Sequence, residues 1–191
     1  MRHKYETRGI VLSRAPFGEA HALLALLTPD LGLLWARATG LRRSGGKLAH
    51  ALTTFAQSDV ILVRGREGWR VTGAVLHENW FVRLGALDAR VRAARVAGLL
   101  LRLAPGESPD HTPFSVMTDF FEALAHENEQ VREGAEMLAA ASLLAALGFD
   151  EAHSTEDVAV SPFSLENLTR VADERDHYIT RINRGIAASG L

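Results

Sequence analysis

The sequence predicts an α+β protein: an N-terminal five-stranded OB-type β-barrel followed by an all-α helical domain. Two observations predict it. Five strand-like runs fill about the first eighty residues, with turn residues rather than crossover helices between them. From about Trp80 the apolar spacing changes to a helical period. The charge divides too: residues 1–104 hold 16 Lys and Arg against 7 Asp and Glu, and residues 105–191 hold 5 against 16.

The first strand is expected over Thr7–Arg14 (TRGIVLSR), bounded by Pro16 and Gly18. Ala20–Leu27 (AHALLALL) has helix-favouring composition, but its short length and flanking turn signals predict a strand. Thr28-Pro29-Asp30-Leu31-Gly32 then suits a tight reversal. Leu33–Thr39 (LLWARAT) resumes the sheet. Gly40–Gly46 (GLRRSGG) is a basic loop, and a short helix is expected over Lys47–Leu52. Ser58–Val63 (SDVILV) is the most β-like run. Arg64–Gly68 (RGREG) makes a hairpin connection to Trp69–Leu76 (WRVTGAVL). Five antiparallel-type strands in this length fit an OB-type barrel best.

Leu84–Leu103 has helical spacing and stops at Pro105-Gly106. Thr112-Pro113 reads as an N-cap followed by Pro at the first helical position, with Phe114, Met117, Phe121 and Leu124 in register behind it. A helix over Val131–Leu147 ends at Gly148. Ser164–Ser189 places Leu165, Leu168, Val171, Tyr178, Ile182 and Ile186 on one stripe, a core face before a partner groove. The expected domains are therefore residues 1–79, an OB-type barrel, and residues 80–191, a helical domain.

Composition excludes several classes. With no cysteine there is neither disulfide nor thiolate-ligated zinc, and a reducing, cytoplasmic setting fits. No charged n-region with an apolar h-region opens the chain, so no signal peptide is expected. Apolar stretches reach about ten residues, where a membrane span needs roughly 20. No His-Glu-x-x-His and no Gly-x-Ser-x-Gly occurs among the eight scattered histidines and the serines. No catalytic residue, metal site or cofactor is expected. Gly46-Lys47 resembles the end of a phosphate-binding P-loop, but Leu41 and Leu48 stand where that motif needs Gly and Ser or Thr.

The positive balance of the first half points to a polyanion as partner. Its first candidate contact is the loop Arg42, Arg43 and Lys47, whose glycines at 40, 45 and 46 let backbone approach a phosphate. Arg64, Arg66 and Arg70 flank a second turn, and Arg14 and Arg37 lie on predicted strands. Trp35 and Trp69 are candidates either for base stacking or for the barrel core. Arg92, Arg95 and Arg102 share nearly one face of the first long helix, either extending the basic surface or pairing with the acidic half.

Thr7–Leu12, Phe17–Glu19, Leu26–Gly32, Ala38–Arg43 and Lys47–Leu52, in this order and spacing, resemble the RecO family of recombination mediators over about the first seventy residues. Leu143–Phe149 is a weaker echo, similar to a family helix ending in a Leu-Gly-Phe turn. Many relatives carry a four-cysteine zinc site beyond it, which this chain lacks, and its second half is shorter. The resemblance implies binding of single- and double-stranded DNA, annealing of complementary strands and help in loading recombinase. It implies as partners RecR and the acidic C-terminal tail of the single-stranded-DNA-binding protein. Two other readings stay open: an interaction scaffold with the same fold and little DNA affinity, and an enzyme of unrecognised type.

Overall fold

The computed structural model describes residues 4–18, 21–39, 47–126, 128–150 and 162–191. In chain order the elements are β1 (Lys4–Phe17), β2 (His21–Thr28), β3 (Gly32–Thr39), α1 (Lys47–Ala51), β4 (Ala56–Gly65), β5 (Gly68–Asn79), α2 (Trp80–Arg83), α3 (Leu87–Leu103), α4 (Thr112–Leu124), α5 (Glu129–Ala146), α6 (Leu165–Asp173) and α7 (Arg175–Ala188). They form two compact units. One joins Met1–Arg83 to Pro105–Phe114, and the other joins Leu84–Ala104 to Ser115–Leu191.

In the first unit the strands close into a barrel in the order β1-β2-β3-β5-β4, with β4 pairing back onto β1. Every neighbouring pair is antiparallel except β3 with β5, which run parallel over Ala36–Ala38 and Trp69–Val71. This is the OB-type barrel predicted from the sequence. Its interior is filled by one parity of each strand: Ala22, Leu24 and Leu26 from β2, Leu34, Ala36 and Ala38 from β3, Val60 and Leu62 from β4, and Trp69 and Val71 from β5. Each fully buried Leu stabilises the fold by roughly 1.5–3 kcal/mol relative to exposure.

The helix-like composition of β2 has a structural cause. Its other parity, Ala25 and Leu27, is buried as well, so the strand needs apolar residues on both faces and shows no alternation. The turn after it is built as the sequence suggests. The Thr28 hydroxyl accepts the Leu31 N–H and donates to the Gly32 carbonyl, both at 3.1 Å, and Gly32 has φ +68°. Helix α1 lays Leu48 and Ala49 against the barrel core, which also holds Leu52. After it, Phe55 takes the left-handed conformation (φ 64°). Its N–H donates to Val11 and its carbonyl accepts from Trp80, so both backbone groups are satisfied inside the fold.

The segment Pro105–Phe114 groups with the barrel for a physical reason. It forms a β-bridge from Glu107 to Gly32, and the Ser108 N–H donates to the Leu31 carbonyl at 3.1 Å. Two details of the helices differ from expectation. The Thr112 N–H is received by the Asp110 carboxylate at 2.9 Å, so Thr112 starts α4 rather than capping it. A carboxylate accepts more strongly there than a hydroxyl and also meets the helix dipole. The single helix expected over 164–189 is two, broken at Glu174 (φ −88°, ψ 25°). Between Val171 and Tyr178 the residues Asp173-Glu174-Arg175-Asp176 supply no apolar anchor to carry one axis through.

The second unit is organised on α5, against which α3, α6 and α7 pack. Leu99 and Leu103 of α3 meet Ala140 and Leu144 of α5, with Ile182 and Ile186 of α7 against them. Gly148 (φ +82°) ends the α5 segment as predicted, and the Phe149 N–H returns to the Leu144 carbonyl. Among the described residues no helix is long and apolar enough to cross a membrane.

Candidate nucleic-acid interface

The arginines converge because strand parity sorts them. On β3, Leu34, Ala36 and Ala38 face the core, so Trp35 and Arg37 face outward. The parallel ladder pairs Arg37 with Arg70, placing two guanidinium side chains side by side on the outer surface. The hairpin from β4 to β5 turns through Arg66 and Glu67. Arg37, Arg64, Arg66 and Arg70 thereby line one cleft of about 670 Å³, together with Glu67 and Trp69.

Arg37 is engaged from the end of β1 and from the β4–β5 hairpin. Phe17, at the end of β1, lies under its guanidinium at 4.8 Å from the ring centre, and Glu67 receives it at 2.5 Å. Phe17 and Glu67 thus both engage Arg37 on the outer face of β3. Trp35, half exposed (50%), faces solvent on the same strand and parity as Arg37. Basic loop residues Arg42 and Arg43 lie outside the described residues, and of Lys47 only the backbone is described, as the first residue of α1.

Trp69 is 5% exposed and belongs to the barrel core. Its ring packs edge-on against Tyr5 at 5.1 Å, and Arg64 covers it at 5.2 Å. The indole N–H donates to Glu107 at 2.9 Å, and the second carboxylate oxygen of Glu107 receives Arg64 at 3.0 Å. Of the two tryptophan alternatives, Trp69 therefore takes the core and Trp35 keeps a free face. Arg14 pairs with the core residue Leu24, which puts it on the opposite face of β1 from Phe17.

Two cleft arginines carry carboxylate partners, Arg37 with Glu67 and Arg64 with Glu107, and both pairs are solvent-exposed. Such pairs contribute about 0–1 kcal/mol, so a polyphosphate that releases counterions displaces them readily. Among the described residues no carboxylate pairs with Arg66 or Arg70. On α3, Arg92 and Arg95 both meet Glu136 of α5, at 2.5 and 3.4 Å, so these two cations are tied to the acidic half of the chain; Arg102 is exposed.

Glu67, Glu107 and Phe17 were not among the residues singled out for contact. Glu107 sits in a Pro-Gly-Glu-Ser-Pro stretch that reads only as a helix stop, and its partners are 38 and 43 residues earlier. Elsewhere, burial raises the Asp119 carboxyl above the usual range, and Glu122 adds to it. Asp119 does not line the arginine cleft. Among the described residues no group of three or more His, Asp or Glu gathers in metal-binding geometry.

Comparison with known proteins bears on the same region. Residues 1–80 match the family model described as Recombination protein O N terminal. The chain is 33% identical over 122 residues to DNA repair protein RecO of Dehalococcoides mccartyi (strain 195), covering 64% of this chain and 48% of that protein. It is 33% identical over 125 residues to DNA repair protein RecO of Rubrobacter xylanophilus, covering 65% and 50%. To that of Synechococcus elongatus it is 42% identical over 66 residues, covering 35% and 25%. The chain spans about half the length, or less, of these curated relatives.

Proposed function

We propose that this chain, which belongs to the RecO family through its N-terminal domain, is a cytoplasmic DNA-binding mediator of recombinational repair. The carrying observation is the placement of Arg37, Arg64, Arg66 and Arg70 around one cleft beside exposed Trp35 on an OB-type barrel. OB folds hold single strands in this way, with cations tracking phosphates and aromatics stacking bases. The strand would run over the outer face of β3, past Phe17 and the β4–β5 hairpin, towards the basic residues that follow Thr39 in the sequence. Annealing, binding to duplex DNA, and recruitment of RecR and of the single-stranded-DNA-binding protein's acidic tail extend this reading. No step needs covalent chemistry, and no residue is given a catalytic role.

Titration of a labelled oligothymidylate tests the placement. Changing Arg64, Arg66 and Arg70 together to Ala is expected to reduce the log–log salt slope by about 2, at ~0.7 per phosphate contact on a single strand. The same change at Arg42, Arg43 and Lys47 is expected to reduce it by more, because these three cations stand in sequence beside glycines at 40, 45 and 46. The Arg64, Arg66 and Arg70 triple should keep the melting temperature, since exposed changes typically stay within about 0.5 kcal/mol. If neither triple moves the slope, the DNA does not cross this side of the barrel.

Trp35→Ala should act differently. Loss of one stacked base costs about 1–3 kcal/mol, roughly 5- to 150-fold in Kd, with the salt slope unchanged. A shifted slope with unaltered affinity at low salt would contradict stacking at Trp35.

A further inference from the structure

We propose that Glu107 is a built-in competitor for the nucleic-acid phosphate, holding the cleft's Arg64 until a strand displaces it. This rests on the reading that the arginine cleft is where DNA binds. The carboxylate uses both oxygens, one on the Arg64 guanidinium at 3.0 Å and one on the Trp69 indole N–H at 2.9 Å. A phosphate arriving over Arg64 needs the same cation in the same direction, and it offers oxygens of the same sign and spacing.

The carboxylate is delivered rather than left to chance. The Glu107 backbone is bridged to Gly32, and Ser108 is hydrogen-bonded to Leu31. The approach is so close that a Cβ on Gly32 would lie 2.6 Å from the Ser108 carbonyl oxygen. Only glycine also takes the φ of +68° there without strain. Yet the contact itself is weakly held, because the Arg64 and Glu107 side chains are 59% and 40% exposed. A fixed backbone with an exposed, displaceable carboxylate suits a competitor better than a structural bridge.

The Trp69 indole N–H reports on the exchange. A phosphate that takes Arg64 changes the charge environment and orientation of the Glu107 carboxylate that this N–H meets, so its proton resonance should move when an oligothymidylate is added to the unaltered protein in low salt. Glu107→Gln removes the charge and keeps an oxygen for the indole. This variant is expected to bind the oligonucleotide severalfold more tightly at low salt, with a slope steeper by about 0.7, since one more cation is released to the phosphates. A strand that binds with its usual affinity to both proteins, leaving the Trp69 resonance in place, would overturn the competitor role while the DNA-binding reading stands. No binding by either protein at low salt overturns both.

Discussion

Gly134→Ala is expected to lower the melting temperature of the helical unit by more than about 10 °C, from a loss of about 3 kcal/mol or more. A Cβ at this position of α5 would lie 2.0 Å from the Leu168 carbonyl oxygen and 2.8 Å from its carbonyl carbon. Both are backbone atoms of α6, so no side-chain rotation relieves the clash. Helix α6 must move, and with it the buried Leu168 and Val171 that fasten it. The control is Gly98→Ala in α3, where a Cβ meets nothing within 4 Å. That change removes glycine's unfolded-state freedom and should stabilise by roughly 0.5–1 kcal/mol. Thermal unfolding followed by circular dichroism separates the two. Equal melting of Gly134→Ala and the parent protein would mean that α5 and α6 do not approach this closely.

The second large effect is on DNA. Raising salt from about 50 to 200 mM should weaken binding of a single strand about 50-fold if the four cleft arginines alone contact phosphates. The estimate is four contacts at ~0.7 each, over a fourfold change in salt. If Arg42, Arg43 and Lys47 join them, the loss grows towards a thousandfold. Exposed ion pairs such as Arg37–Glu67 do not cap this effect, because they too are screened by salt. Fluorescence anisotropy on an oligothymidylate measures it directly. A Kd that ignores salt would leave the arginine cleft without its proposed ligand and would favour the scaffold reading.

Much of the barrel was legible because its strands follow simple rules. SDVILV is β-branched and lies within β4, and the Pro-Asp-Leu-Gly turn is closed by the expected glycine conformation. Parity also held the answer for the tryptophans. Trp35 shares a face with Arg37, whereas Trp69 shares one with Val71, which marks the first as outward and the second as core. Convergence of Arg37 with Arg70 was not legible, since it depends on a parallel pairing between strands that are not neighbours in sequence. Nor was the break at Glu174, because charged helix surface and a charged kink read alike. Glu107 left no local signal at all. Its meaning comes from a bridge to Gly32, across 75 residues of chain.

That bridge also dictates an order of events during synthesis. The five strands of the barrel have all been synthesised once Asn79 is added, but the barrel unit is not then complete. Helix α3 must be translated before Glu107 and Ser108 exist. Until they arrive, the Leu31 carbonyl and the Trp69 indole N–H lack the partners they have in the finished protein. A buried indole donor without its acceptor is costly, so the nascent barrel holds Trp69 less firmly than the mature one. A fragment cut at the last strand would inherit this unfinished state permanently, and an autonomous barrel would have to extend through Phe114.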